Sequence, residues 1–570
     1  MKRCPECRRD YYDDTLSFCL EDGSPLVSGV PAESLSGEEP ATAVFPNIHT
    51  TEEARTRTFE NETTQFTTSA TKRNTLIAGA IGIVIVTAFG FGSYLYYGRT
   101  DPQISSIAVL PFVNESGNAE IEYLSDGMTE TLINNLSQIP NLSVKARSSV
   151  FRYKGKEVDP QKIATDLKVQ AILNGRVMQR GDNLTLNLEM VDASTGNQIW
   201  GDQYNRKITD LVTLQSDIAR DVSAKLRARL SGVDAGKVAK SYTANPEAYQ
   251  IYLQGRYFWN KRSEADIRKS IDYFQKAIDK DPTFALAYGG LADAYTTLPS
   301  YTNDTGLDSY PKARAAAVKA LELDESLAEP HATLGTVLLE HDWNFPESEK
   351  EFKRAIELNP NYATAHHWYS EYLLSMGRED EALAEIKRAQ ELDPLSLIIN
   401  AILGIVHAVR GEPEQAVTQL KKTIEMDPNF ARAHLFLAEV YREKGMYEEA
   451  IDEQEKHLIL LGLPADKAAP MAESLRTEYR KAGAKGYYRK LLEFIEAVRA
   501  TNPNLSPPLA EIAGIYETLG ERDKAFEFLE KSYAQHEPDI VRIGEIRSFP
   551  SIRSDPRFVD LLRRIGLPQQ

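Results

Sequence analysis

Three cysteines, all within the first 19 residues, are the most reactive side chains in this chain of 570 residues. Cys4 and Cys7 form a C-x2-C pair, Cys19 follows, and Asp22 stands three positions after it. Zinc takes four ligands in a tetrahedron and accepts both thiolate and carboxylate donors. Cys4, Cys7, Cys19 and Asp22 are therefore the expected ligands of a structural Zn2+, which so small a knuckle needs in order to fold. Two alternatives stay open: a water or a partner's group in place of Asp22, and a tail of reduced thiols that holds no metal. Elsewhere the chemistry is sparse. Asp126-Gly127 and Lys154-Gly155-Lys156 could face a phosphate, but neither G-x-x-x-x-G-K-[ST] nor G-x-G-x-x-G accompanies them. Asp126-Gly127 is expected to be a turn or a helix cap. His366 and His367 lack H-E-x-x-H spacing, and no G-x-S-x-G nucleophile elbow occurs. No catalytic residue is expected.

The elements that hold these residues follow from the totals and the periodicity. A chain of this length outgrows one core, so several domains are expected. The net charge of −17 argues against nucleic acid as a partner and for a self-repelling surface. No cysteine follows Cys19, so no disulfide framework supports the bulk of the protein.

From Thr75 to Tyr97 the sequence TLIAGAIGIVIVTAFGFGSYLYY holds 23 residues without a charge. At about 1.5 Å per residue it reaches roughly 33 Å, enough to span a bilayer core. Lys72 and Arg73 precede it, and Tyr94, Tyr96 and Tyr97 sit at its far end. The reading is a transmembrane helix over 74–98, single-pass in a bacterial inner (cytoplasmic) membrane, with the N-terminus cytoplasmic and the C-terminal domains outside. Ala78 and Gly82 make a small-xxx-small pair that suggests a homodimer. Residues 29–73 are rich in Ser, Thr, Glu and Pro and read as a disordered linker.

Beyond the membrane segment, Ile104–Phe112 reads as a buried strand, and Leu124, Met128, Leu132 and Leu136 mark a helix at four-residue spacing. Another helix is expected over Pro160–Leu167, antiparallel strands through Arg176–Gly181 and Asn183–Val191, a last strand over Gln198–Tyr204 and a closing helix from Leu211. This order implies an α/β domain over 101–235. Its segments IAVLPFVNESGN, YLSDGMTETLINNL and LEMVDASTGNQIWGDQYNRK resemble the TolB-type N-terminal domain. The first 28 residues, CPEC followed by FCLEDG, resemble half of a bacterial zinc ribbon.

The strongest pattern is a step of 34 residues from Pro360 to Pro394 to Pro428, each closing an amphipathic run that ends Asn-Pro or Asp-Pro. A fixed period of this length means stacked helix pairs. Small residues recur at fixed places (Gly335, Ser348 and Ala355, then Ser370, Ala382 and Ala389), and Gly377, Gly411 and Gly445 mark the turn within each pair. These positions resemble the tetratricopeptide repeat (TPR) family. The solenoid is assigned to 245–535, with an insertion at Thr296–Tyr310 and a lost period after Leu461, and 536–570 reads as a terminal cap. The resemblance implies a concave groove lined by His367, Glu371, Arg432, Glu439, Arg442 and Glu443, a set without the basic side chains of a carboxylate clamp.

The fold class expected is thus multidomain: an α-helical TPR solenoid, an α/β domain, one transmembrane helix and a small zinc-ribbon-like N-terminus. The function expected is a membrane-anchored scaffold or sensor component that binds protein partners through the TPR groove. The alternative is a transmembrane transcription regulator that uses the zinc knuckle.

Overall fold

The computed structural model describes residues 104–139, 141–226, 240, 242–302, 306–501, 507–545 and 549–569, and the backbone of 2–3, 10–11 and 27–28. The chain divides into two units, Met1–Gly98 and Arg99–Gln570. In the first, strands β1 (Lys2–Arg3), β2 (Asp10–Tyr11) and β3 (Val27–Ser28) pair antiparallel in the order β2-β1-β3. Cys4, Cys7, Cys19 and Asp22 lie outside the described residues, as does the whole of 74–98.

The expected transmembrane helix requires a correction. Among the described residues no helix is long and apolar enough to cross a membrane. The longest of them, Ala465–Thr501, carries Lys, Arg, Asp or Glu in every few residues and packs as part of the array. The fold class is a helical solenoid with a small sheet domain. The single-pass inner-membrane placement rested on the membrane helix and is withdrawn with it.

The second unit opens with the sheet domain. β4 (Ser106–Val109), β5 (Val113–Asn114), β6 (Ser143–Val144), β7 (Ala171–Arg180), β8 (Asn183–Asp192) and β9 (Gln198–Lys207) form one sheet in the order β6-β4-β7-β8-β9, with β5 also on β7. β4 runs parallel to β6 and β7, while β7, β8 and β9 are antiparallel. Arg176–Gly181 is thus no separate strand, since β7 runs unbroken from Ala171 to Arg180. Helix α1 (Glu122–Ser137) buries Leu124, Met128, Leu132 and Leu136 completely, the four positions that its spacing singles out. Asp126-Gly127 therefore sits inside this helix, neither turn nor cap. Gly127 is there because Leu253 of the first repeat would lie 2.8 Å from any Cβ. Short helix α2 (Arg147–Val150), α3 (Pro160–Leu167) and α4 (Leu211–Lys225) complete the domain.

Helix pairs follow: α5 (Pro246–Trp259) with α6 (Glu264–Lys280), α7 (Ala285–Thr297) with α8 (Ser309–Leu323), α9 (Ala328–Glu340) with α10 (Phe345–Leu358), α11 (Ala363–Ser375) with α12 (Glu379–Leu392), α13 (Leu397–Val409) with α14 (Pro413–Met426), and α15 (Ala431–Glu443) with α16 (Tyr447–Leu460). The B helices α6, α10, α12 and α14 stop at the Asp or Asn before proline. Proline pushes its predecessor out of the helical region, and Asn359, Asp393 and Asp427 have φ between −132° and −154°. Gly377, Gly411 and Gly445 all take positive φ, from 67° to 76°, at the turn between helices. Where the period lapses, α17 (Ala465–Thr501) runs on through a break at Gly483, with α18 (Leu509–Leu519), α19 (Arg522–Ala534) and α20 (Pro556–Ile565) after it.

In the pairs α5/α6, α9/α10 and α13/α14 a ring or branched side chain of helix B fills the space left by a glycine of helix A. Phe352 is fully buried and would sit 2.8 Å from a Cβ on Gly335, and Leu420 would sit 2.6 Å from one on Gly404. Burying a side chain of this size stabilises by about 1.5–3 kcal/mol, a gain made in each of these three pairs.

Candidate partner-binding groove

One face of the array is knitted by a periodic polar ladder. His434 near the start of α15 reaches back to the carbonyl of Pro428 (Nε2, 3.0 Å) and across to Glu453 of α16 (Nδ1, 2.6 Å). His366 makes the same two contacts, with Pro360 and Glu385, at 3.1 and 2.5 Å. Asn400 replaces the histidine in the intervening pair, donating to the Pro394 carbonyl and accepting from Gln419. His366 is thus a structural bolt between repeats. The hydrogen bond to Glu453 holds the His434 imidazolium above the usual histidine range, against the opposing effect of burial.

His367 points the other way. It is more than nine-tenths buried, and its Nε2 lies 3.3 Å from the Glu371 carboxylate without making a hydrogen bond. Burial lowers its pKa, with Glu371 opposing and Arg432 adding to the effect. The sequence-expected residues His367, Glu371 and Arg432 thus share one electrostatic neighbourhood. Glu439 and Arg442 form a second centre. Arg442 approaches the Tyr487 hydroxyl at 3.4 Å, and although burial opposes its charge, Tyr487 and Glu439 raise its pKa. Burial raises the Glu439 carboxyl despite Arg442 and Arg542 nearby. Glu443 is exposed.

The groove is not empty. Within the stretch 536–570, expected to be a terminal cap, Pro538–Gly544 forms a 3-10 turn lying against α9, α11 and α18. Ile540, Val541 and Ile543 are buried there, and Arg542 enters the field of Glu545, Asp539, Glu439 and Glu511. Gly544 abuts the end of α11, where a Cβ would stand 2.2 Å from the Ser375 carbonyl. Glu340, which accepts a hydrogen bond from Tyr310, lines the same space. Burial pushes its carboxyl up to about 7, with Glu371 and Asp539 adding to the rise. Glu511 is open to solvent by area yet walled in by Glu439 and Asp539, and enclosure likewise pushes it up to about 7. No sequence period carries the contacts with α9 and α11, because they join this turn to helices more than 160 residues earlier.

A second cluster joins the sheet domain to the first repeat. Glu130 of α1 accepts from Arg256 Nε at 2.7 Å and from Asn260 at 2.7 Å, with Arg147 at 3.1 Å, and Arg256 also donates to Asp293 at 3.0 Å. Burial works against the Glu130 charge, but Arg256 and Arg147 outweigh it and hold the carboxyl below its usual range. Asp126 is paired with Lys154 at 2.5 Å, so the two motifs that could have faced a phosphate neutralise each other. Among the described residues no group of three His, Cys, Asp or Glu side chains could hold a metal ion.

Comparison with known proteins agrees with the array. Residues 351–384 and 403–470 each match a profile described as tetratricopeptide repeat. The helical array is a TPR array. Solved TPR structures resemble parts of it: YrrB, titled a TPR protein with an unusual peptide-binding site, is 23% identical over 35% of this chain and 97% of its own, with a TM-score of 0.25. MamA is 24% identical over 27% of this chain and 88% of its own, with a TM-score of 0.24. Residues 103–220, the sheet domain ahead of the TPRs, match the second domain of HilA/YgeH-like transcriptional regulators. A Rhizobium meliloti (strain 1021) protein named "Putative adenylate cyclase 3" is 32% identical over 241 residues, 42% of this chain and 40% of that protein. Transcriptional regulator HilA of Salmonella typhimurium (strain LT2) is 20% identical over 287 residues, half of each chain. The chain thus spans half or less of the curated relatives it matches.

Proposed function

We propose that this protein is an interaction scaffold whose TPR array receives a segment of a protein partner. The observation that supports the reading is the concave TPR face itself, where charged side chains from successive helices surround a seated peptide segment. Affinity purification of the whole chain followed by mass spectrometry tests it. A partner is expected to be enriched by the native chain and lost by a Glu371→Lys/Arg432→Glu variant. Equal recovery by both, or no enrichment by either, removes the groove as the binding surface.

A second reading has one observation in its favour, the match of residues 103–220 to a domain of HilA/YgeH-like regulators. On that reading the array and sheet domain are the signal-receiving part of a transcription regulator. Salt-sensitive retardation of DNA by the whole chain would favour it, and DNA mobility unchanged at low salt would exclude it. The relative named for adenylate cyclase is covered over 40% of its length, and cyclase activity is no part of the proposal.

The proposal extends to the N-terminus, where Cys4, Cys7, Cys19 and Asp22 supply a ligand set that suits structural Zn2+. Purified protein is expected to release one zinc per chain when its thiols are titrated. Release from a Cys7→Ser/Cys19→Ser variant equal to that of the native chain would overturn the assignment.

A further inference from the structure

We infer that the free edge of β9 is a dimerisation surface, on which β9 of a second copy of this chain pairs antiparallel with Tyr204 on the twofold axis. The inference is independent of the scaffold reading. β9 ends the sheet order, is 10 residues long and contains no proline. A strand edge of this kind displays a row of unpaired amides and carbonyls, and it takes up another strand unless something covers or breaks it. All of β9 except Trp200 and Tyr204 is exposed, Ile199 by 41%. The opposite edge differs: β6 has 2 residues, and the backbone just beyond it is already engaged, the Ala146 amide donating to the Leu392 carbonyl of the array.

The ladder decides which backbone groups are free. Ile208 donates to the Asp182 carbonyl at 2.8 Å, so in this antiparallel register Asp202, Tyr204 and Arg206 exchange bonds with β8. Gln203 and Asn205, which alternate with them, turn their N–H and C=O groups to the free edge, and Gly201 and Lys207 do the same. Two of those groups are covered by the strand's own charges. The Gln203 N–H donates to the Asp202 carboxylate at 2.8 Å, and the Asn205 carbonyl accepts from the Arg206 guanidinium at 3.1 Å. These two backbone groups are each other's partners in a self-pair. With Tyr204 opposite its own copy, Gln203 stands opposite Asn205 and exchanges both bonds with it, and Gly201 stands opposite Lys207. The displaced Asp202 then lies directly across from Arg206 of the second copy, once on each side of the axis, in the pair where side chains come closest. Arg206 keeps Asp217, 3.5 Å away on its own chain, as a second neighbour. Sliding the copies until Asp202 meets Asp202, or Arg206 meets Arg206, sets like charges together and disfavours those registers.

The test is sedimentation velocity of the whole chain, which is expected to be dimeric at micromolar concentration. Gln203→Pro removes an outward-facing N–H that no ladder bond uses, so it is expected to keep native circular dichroism and to sediment as a monomer. Asp202→Arg sets like charges across the axis at both Arg206 positions and is expected to weaken association about tenfold or more. The exchanged pair Asp202→Arg/Arg206→Asp makes the charges opposite again and is expected to recover the dimer. A native chain that stays monomeric at high micromolar concentration, its edge then left to another protein's strand or to none, overturns the inference. A dimer that survives both Gln203→Pro and Asp202→Arg overturns it as well. Should Gln203→Pro not fold, the charge exchange decides: equal association of the single and the exchanged variants rejects the β9 pair.

Discussion

His434 shows how one side chain can serve as a hinge pin between repeats. A carbonyl and a carboxylate can only accept, so both of its ring nitrogens donate and the ring is held as the cation. A histidine whose pKa is raised in the folded state contributes stability that is complete below its unfolded value, 6.5, and is lost as pH rises through the folded value. The preceding repeat carries Asn400 and Gln419 in the same two places, which do not titrate. The double variant His434→Asn/Glu453→Gln copies that uncharged pair. It is expected to fold and to lose the native chain's fall in urea midpoint between pH 6.5 and 8.5. A slope equal to the native one would show that His434 is not the titrating bolt. Glu340 supplies the opposite kind of test. Its carboxyl is raised to about 7 and so favours folding in the protonated form, a contribution that drains away as pH rises from about 4.5 to 7. Glu340→Gln is expected to flatten stability over that window, read as the melting midpoint at pH 5 and pH 7.5.

The helix pair is the element on which stability rests. Gly404 faces Leu420 so closely that a Cβ would come within 2.6 Å of it, and a larger side chain must prise the two helices apart. Gly404→Val is expected to cost about 1–3 kcal/mol, measured by urea unfolding, whereas a loss below about 0.5 kcal/mol would mean that the pair slides to accommodate it. This level of organisation was legible in the sequence for a physical reason. A helix pair buries its own small and large positions locally, so each repeat restates the same spacing, and even the insertion after α7 shows as a gap in that spacing. The break at Gly483 falls at a single glycine of positive φ, between two stretches of helix-forming residues that the sequence already separates, near Met471–Tyr479 and Tyr488–Thr501. The groove residues were legible only as positions on a helix. That His367 is buried and Glu371 lines an acidic wall depends on what packs against them, and no local pattern records that.

At the scale of the second unit, the Asn-Pro and Asp-Pro steps do more than end helices. Asn359 donates to Ser137 at 2.9 Å, Asn361 donates to the carbonyls of Ser137 and Leu142, and Asp393 accepts from Ser148 and Ser149. Lys145 and Arg152 donate to the carbonyls of Glu391, Leu395 and Met426, where a helix end carries partial negative charge. The residues that punctuate the array therefore also seat the sheet domain on it. Asp393→Ala strands the buried Ser149 hydroxyl and is expected to cost about 1–3 kcal/mol. Hydrogen exchange should then show the sheet domain opening before the array, and simultaneous opening would refute the seam. The chain's end draws the unit together once more. His536 stacks on Trp343 with ring centroids 3.8 Å apart and bonds the His341 carbonyl, 195 residues away. An open solenoid frays, losing its outermost repeats first because each touches a single neighbour. A solenoid whose last turn is clasped to its third pair has no loose end to start from. Its amides should exchange at nearly one rate from α9 to α20, and it must find a contact between distant stretches of chain before it is stable, so it folds slowly for a protein made of helices.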